Sequence, residues 1–244
     1  MTNLRGADLS VLVLAYEEQE NVGPVLLELC QWLDRHEPGA EIVFVDDGSR
    51  DATLDRAREA LSGRRARFVR HEKNRGMGAG IKSGAAVASG ELLTFLPADG
   101  QVPPEAIGAL REGAREAGVD IVFSVYTSRR DGLLRKVLSL GVRSLILLLH
   151  HDLPDSDGPY LVPRSLVDPR QLTPDSFFLN FELPLRVHAA GLPHTVVEVP
   201  CRPRRAGVSK TAALGKVRTV AADLLDLRRR RDREALARIL GRRH

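Results

Sequence analysis

The sequence is poor in the residues from which small stapled or metal-caged domains are built. Only two cysteines, Cys30 and Cys201, occur in 244 residues, too few for a disulfide framework or a four-ligand zinc cage. The seven histidines show no metal-ligand spacing, and adjacent His150 and His151 suit an interface or solvent better than catalysis. No apolar core of a signal peptide follows Met1, so a reducing, cytoplasmic setting is expected. Apolar runs long enough to span a bilayer are missing: the best candidate, 133–149, is interrupted by Arg135, Lys136, Ser139 and Arg143. Internal repeats, low-complexity tracts and a Gly-x-Ser-x-Gly nucleophile elbow are also absent.

Acidic residues are scarce at one end. Residues 202–244 hold fourteen Lys/Arg against four Asp/Glu, leaving 22 against 28 in residues 1–201. The formal charge of +4 therefore conceals an acidic body and a basic tail. Such a tail can meet nucleic acid, anionic lipid or water. The run of arginines at 228–231 has no aromatic residues interleaved for base stacking, which argues against nucleic acid.

What is present is the balance of a folded domain, 43% hydrophobic and 28% charged. Short β-rich runs at 8–14, 41–46, 67–70, 91–96 and 120–126 alternate with connections at 21–35, 51–61, 78–88 and 104–117, each long enough for a crossover helix. That alternation predicts an α/β fold with a mostly parallel central sheet covered on both faces. Ser49 and Asp51 stand where a helix cap is needed, and Pro103–Pro104 fits a helix start. A turn-rich stretch at 152–174, a short helix at 180–190 and a strand at 194–199 follow.

Two further helices are expected at 133–149 and 211–227. In the first, steps of four align Arg135, Ser139 and Arg143 on one polar stripe; in the second, Val217, Val220, Ala221, Leu224 and Leu225 share a face, with arginines immediately after. Either helix can pack on the core or lie in the plane of a membrane interface, and the pair together favours peripheral membrane contact. The expected organisation is one domain over 1–210, including the helix at 133–149, with a basic amphipathic tail at 211–244.

In open α/β sheets ligands sit at the carboxyl ends of the strands, and the loops there are LAYEEQENV, VDDGSRDAT, HEKNRGMGAGIKSG and LPADGQVPPEAI. Asp46–Asp47 before Gly48–Ser49 reads either as a strand end, turn and cap or as a carboxylate for a base or ribose, with Tyr16 and Glu18 completing a nucleoside pocket. Gly76, Gly78 and Gly80, with Lys82 and Gly84, make a glycine-rich turn into a helix that lets backbone N–H groups approach phosphate. The dinucleotide fingerprint belongs after the first strand, and this turn follows the third. Asp99 and Gln101 form an oxygen-rich pair that can hold Mg²⁺ or Mn²⁺ while a diphosphate and water complete the coordination, or can be a turn of Asp and Gly alone.

The series AYEE, VDDGSRDAT, NRGMGAGIKSG and PADGQ resembles family-two glycosyltransferases, in the branch of dolichyl-phosphate mannose synthase and related polyprenyl-phosphate glycosyltransferases. The likeness continues through SRRDG, DSDG, NFELPLRVHAAG, EVP and RRAGVSK, over nearly 9–210. The resemblance implies a GT-A-like, Rossmann-type domain, a nucleoside-diphosphate sugar donor with GDP-mannose favoured, a polyprenyl phosphate acceptor, and Mg²⁺ or Mn²⁺. It implies that Tyr16, Glu18 and Asp47 bind base and ribose and that Asp99 and Gln101 are metal ligands. Arg129 would lie near the acceptor phosphate, and Arg204 and Lys210 would close over the diphosphate and phosphate groups. Pro97 stands where the family commonly has an Asp, which weakens the metal site. Leu14, Ala15 and Glu17 replace the usual residues of the first loop, and Tyr160 replaces a common Arg, which bears on the acceptor.

Two other readings share the donor half: a soluble transferase acting on a small-molecule hydroxyl, and a non-catalytic nucleotide-binding protein. A hydroxyl acceptor would need a general base, for which Glu182 and Asp157 are candidates.

Overall fold

The computed structural model describes residues 7–127, 156–168, 172, 175 and 179–205. All lie in a compact unit that takes in Met1–Arg129 and Pro154–Val208. The helices expected at 133–149 and 211–227, the boundary at 210, and Arg129 and Lys210 lie outside the described residues.

Strands β1 (Leu9–Ala15), β2 (Glu41–Asp46), β3 (Ala66–Arg70) and β4 (Leu92–Pro97) alternate with helices α1 (Val22–His36), α2 (Thr53–Ala60), α3 (Met77–Val87) and α4 (Glu105–Ala117). The sheet order is β3-β2-β1-β4, all parallel, which places β1 and β2 centrally. Parallel neighbours with crossover helices bury both faces, and β2 is buried at all six positions. Along β1 the period of two divides the core. Leu9, Val11, Val13 and Ala15 pack with Leu26 and Leu29 of α1 and Ile107 of α4, whereas Leu12 packs with Ile81 and Ala85 of α3.

Helix α1 buries Val22, Val25, Leu26, Leu29, Cys30, Trp32 and Leu33, the spacing of one helical face. Helix α4 ends at Gly118, whose φ of +69° supplies the left-handed residue that terminates helices. The expected cap residue Ser49 does not cap α2. Its hydroxyl accepts the Glu17 N–H at 2.8 Å, and Asp51 Oδ1 receives the Thr53 N–H at 3.0 Å instead. The side chain of Ser49 is thus used to tie two neighbouring loops together rather than to start a helix.

Beyond β4 the topology departs from a simple continuation. Strand β5 (Val122–Tyr126) pairs in parallel with β7 (Thr195–Val199) as a separate two-stranded sheet. The short β6 (Val162–Pro163) closes the main sheet antiparallel to β4, and a bridge between Val122 and Leu161 joins the two regions. Pro163 has no N–H to offer a further strand, which suits so short an edge. A 3₁₀ turn (Arg164–Leu166) and helix α5 (Leu179–Ala189) complete the described elements. Leu179, Leu183 and Val187 of α5 join the core on the α3 face of the sheet.

Candidate active site

The carboxyl ends of β1, β2 and β4 are stitched side by side. Asp47 N–H donates to the Ala15 carbonyl at 2.8 Å, and Ala98 N–H to the Leu14 carbonyl at 2.9 Å. Glu18 N–H donates to Thr53 Oγ1 at 2.8 Å, anchoring the first loop to the start of α2. Glu17, between Tyr16 and Glu18, has a φ of +51°, and it is the non-glycine residue with positive φ among those described. Left-handed backbone at such a residue is strained and gathers at functional loops. The Tyr16 hydroxyl is raised above its ordinary pKa by burial and by the adjoining Glu17 carboxylate, with Arg50 opposing.

Asp47 is buried and its carboxylate is well used. Oδ1 accepts from His71 Nδ1 at 2.7 Å and the Arg75 N–H at 2.8 Å, and Oδ2 accepts the Gly76 N–H at 2.8 Å. Gly48 beside it has a φ of +82°, and a Cβ there would come within 2.5 Å of the Lys73 backbone. The second loop can therefore lie against the third only with glycine at this position. Gly76 precedes α3 with a φ of +98°, and Gly78 is buried in the first turn.

The fourth loop carries Asp99. Its Oδ1 accepts the Gln101 N–H at 3.0 Å, and the Gln101 carbonyl accepts the Arg202 N–H at 2.7 Å. Burial pushes the Asp99 carboxyl up; the Gln101 N–H and the charge of Arg204 oppose this, and Glu18 adds to it. Arg204 itself is ion-paired with Glu18 Oε1, while Asn21 Nδ2 donates to Glu18 Oε2 at 2.7 Å. Arg202 reaches Glu28 at 2.6 Å and Glu105 at 3.3 Å, and Arg205 also pairs with Glu28. The segment after β7 is thus strapped to α1 and α4, with Arg204 held beside Glu18 and Asp99.

The structure therefore brings together Glu18, Asp99 and Arg204, with Gln101 on the same turn and Tyr16 and Asp47 at the adjoining strand ends. It does not bring Lys82 to them. The Lys82 ammonium lies 2.6 Å from Asp175 Oδ1 and donates to the Leu172 carbonyl at 3.3 Å. Tyr160, expected to bear on the acceptor, is 1% exposed and packs edge-on against Phe95 and Phe123. It is core, because its ring fills the space between β4 and β5. Glu182 has no exposed surface, and its Oε1 accepts from Arg186 one turn away at 2.8 Å. Asp157 is exposed at the end of β5, where its Oδ1 accepts the Tyr126 N–H at 3.1 Å. His71 was not among the residues singled out from sequence; its place in the glycine-rich loop, HEKNRGMGAGIKSG, was the available signal.

Among the described residues no group of three or more His, Cys, Asp and Glu side chains could enclose a metal. The donor set at the fourth loop is one carboxylate and one amide, both oxygen ligands, and Pro97 adds none. Hard cations such as Mg²⁺ are commonly held by one or two protein oxygens, with substrate phosphates and water supplying the rest. The pair fits that arrangement, and a cation beside Asp99 would favour the charged form that burial disfavours.

Comparison with known proteins agrees with this architecture. Residues 10–162 match the family model described as glycosyl transferase family 2. The chain is 30% identical over 202 residues to the dolichol-phosphate mannosyltransferase of Pyrococcus furiosus, covering 79% of this chain and 55% of that protein. It is 32% identical over 133 residues to the undecaprenyl-phosphate 4-deoxy-4-formamido-L-arabinose transferase of Aeromonas hydrophila, covering 54% and 40%. The chain thus spans about half the length of the curated relatives it matches. Among solved structures, glucosyl-3-phosphoglycerate synthase from Mycobacterium tuberculosis with Mn²⁺, UDP and phosphoglyceric acid superposes with a TM-score of 0.67 at 21% identity, covering 91% of this chain and 78% of that one. The sheet with its crossover helices, the loops gathered at its carboxyl edge and the matched family model lead to one conclusion: this chain belongs to glycosyl transferase family 2.

Proposed function

We propose that this chain is an inverting, metal-dependent glycosyltransferase that moves a sugar from a nucleoside diphosphate to a polyprenyl phosphate at a membrane surface. The observation that carries the reading is the grouping of Glu18, Asp99 and Arg204 at the carboxyl edge of the sheet, beside Tyr16 and Asp47. The relatives from Pyrococcus furiosus and Aeromonas hydrophila, whose names specify polyprenyl phosphates, support the acceptor class. No helix among the described residues is long and apolar enough to cross a membrane; in this reading peripheral contact at the cytoplasmic face falls to the segment 133–149, expected from sequence to be an amphipathic helix, and to the basic tail.

In this reading the acceptor phosphate oxygen attacks the anomeric carbon in line as the bond to the nucleoside diphosphate breaks, inverting the configuration. A phosphate monoester is largely ionised near neutral pH, so the attack requires no protein base. The burial of Glu182 is consistent with that economy. Tyr16, Glu18 and Asp47 hold the nucleoside, and Gly76 and Gly78 keep the backbone close beside it. Asp99 and Gln101 would hold Mg²⁺ or Mn²⁺, which when bound would supply charge stabilisation to the leaving diphosphate. Arg204 adds a fixed cation there, and the family resemblance gives Lys210 the phosphates and Arg129 the acceptor phosphate as their roles in this reading. Lys82 joins the phosphate contacts only by exchanging Asp175 for the ligand.

GDP-mannose is the favoured donor, by likeness to the mannosyltransferase. Transfer to a small soluble acceptor is the second reading, supported by the phosphoglyceric acid bound to the structural neighbour. A panel of radiolabelled GDP- and UDP-sugars offered with a short polyprenyl phosphate and Mg²⁺, Mn²⁺ or EDTA separates the two. Metal-dependent label in the organic phase establishes lipid transfer and names the donor. Donor hydrolysis without lipid product favours the soluble acceptor, and silence under all conditions removes the enzymatic reading.

A further inference from the structure

His71 is 7% exposed and lies between two elements that the sequence keeps apart. Its Nδ1 is 2.7 Å from Asp47 Oδ1 in the second loop, and its Nε2 is 2.9 Å from Ser83 Oγ on α3. A carboxylate accepts only, so Nδ1 carries the proton of that bond. The backbone of His71 is also fixed, its N–H donating to the Asp46 carbonyl at 2.9 Å. The ring therefore has one orientation.

The order Asp47, His71, Ser83 is that of a nucleophilic triad, but the surroundings do not support that chemistry. Ser83 sits inside α3, where backbone N–H groups are committed to the helix and none is left to stabilise an oxyanion. What the arrangement does is constrain Asp47. Oδ1 is satisfied by His71 and the Arg75 N–H, whereas Oδ2 receives the Gly76 N–H alone. A carboxylate oxygen has room for two donors, and the Asp47 side chain retains 12% exposure.

We infer that His71 is a positioning residue of the nucleotide pocket, turning the Asp47 carboxylate so that Oδ2 offers one acceptor position to an N–H or O–H of the nucleoside. The inference rests on the donor-site reading given above. It extends that reading to a side chain that itself touches no substrate. By holding Asp47 against the Arg75 and Gly76 amides, the same ring couples the nucleoside loop to the glycine turn that starts α3. A second-sphere hydrogen bond of this kind acts on binding through the residue it orients.

Two isosteric half-replacements separate positioning from packing. The Asn amide nitrogen can occupy the place of Nδ1, and the Gln amide nitrogen that of Nε2. In the full chain, binding of UDP and of GDP with Mn²⁺ is measured by calorimetry for wild type, His71→Asn, His71→Gln and Ser83→Ala. The expected result is nucleotide affinity about tenfold weaker in His71→Gln. Affinity in His71→Asn and Ser83→Ala should stay within about threefold of wild type, and in transfer assays the Gln variant should raise the donor KM with kcat little changed. Amide exchange at Arg75 and Gly76 should accelerate in the Gln variant alone.

Wild-type affinity in a folded His71→Gln, or equal losses in the Asn and Gln variants, overturns the assignment while leaving the donor site intact. If His71→Gln does not fold, the Asn variant decides: a folded His71→Asn with lost affinity overturns it. Failure of the wild type to bind either nucleotide overturns the donor-site reading and this assignment with it.

Discussion

Asp99 is the residue on which the proposed chemistry turns, and its backbone role can be separated from its charge. Asp99→Asn keeps an oxygen for the Gln101 N–H bond, now 3.0 Å, but removes the charge that faces Arg204. Transfer is expected to fall by about a hundredfold or more, with the melting temperature little changed; steady-state rates at saturating Mn²⁺ check this. Tyr160 presents the opposite case. Its hydroxyl is buried with no hydrogen-bond partner among the described residues, and desolvation raises it above its ordinary pKa. An unpaired buried hydroxyl costs about 1–3 kcal/mol. Tyr160→Phe keeps the ring contact with Phe95 and should raise the melting temperature by about 2–4 °C with transfer intact, as calorimetry would show. A lower temperature would mean that the hydroxyl has a partner. In the sequence Tyr160 stands where the family commonly has an Arg after the DSDG turn, but position along the chain carries no information about which way a ring turns.

At the scale of the element, the opposite edge of the sheet is held by Glu41, 2% exposed at the start of β2. Burial alone would raise its carboxyl. Hydrogen bonds from Ser10 Oγ at 2.6 Å and from the Ser89 and Gly90 amides outweigh burial and hold it down at about 2, against an ordinary 4.5. Because the folded value lies below the unfolded one, the stabilisation is fully present above pH 4.5 and is lost as pH falls from about 4.5 to 2. Its size is on the order of 3 kcal/mol. Urea titrations at pH 7, 4 and 3 should show Glu41→Gln less stable at neutral pH and less sensitive to acid than wild type. The strands were legible as short β-rich runs, with β1, β2 and β4 buried along nearly their whole length, and the helices because apolar residues recur with a period near 3.6. The boundaries of the first four strand–helix pairs fall within two residues of those expected. The pairing of β5 with β7 was not legible: the partners are some seventy residues apart, and a strand's own pattern does not name its neighbour.

For the molecule as a whole, the proposed membrane contact is a matter of charge in the sequence of the basic tail. If the tail binds anionic lipid, replacing Arg228, Arg229, Arg230 and Arg231 by Gln should sharply reduce sedimentation with phosphatidylglycerol vesicles at low salt. Raising the salt should reduce wild-type binding as well. Each charge near such a surface contributes about 1 kcal/mol. Binding that is unchanged by the substitutions would assign the tail to solvent.

The sequence by itself determined the α/β class, the order of the first strands and helices, and the loops that gather at the carboxyl edge, because these follow from local periodicity and from the direction of a parallel sheet. It also determined the family, because the ordered motifs run along most of the chain. Tertiary structure alone decided which of the candidates meet. Glu18 and Arg204 lie 186 positions apart in sequence yet form one ion pair. Asp47 gains His71, Tyr160 enters the core, and Lys82 is held by Asp175. Such contacts depend on where the folded backbone aims each side chain, and residue type and spacing do not specify that direction.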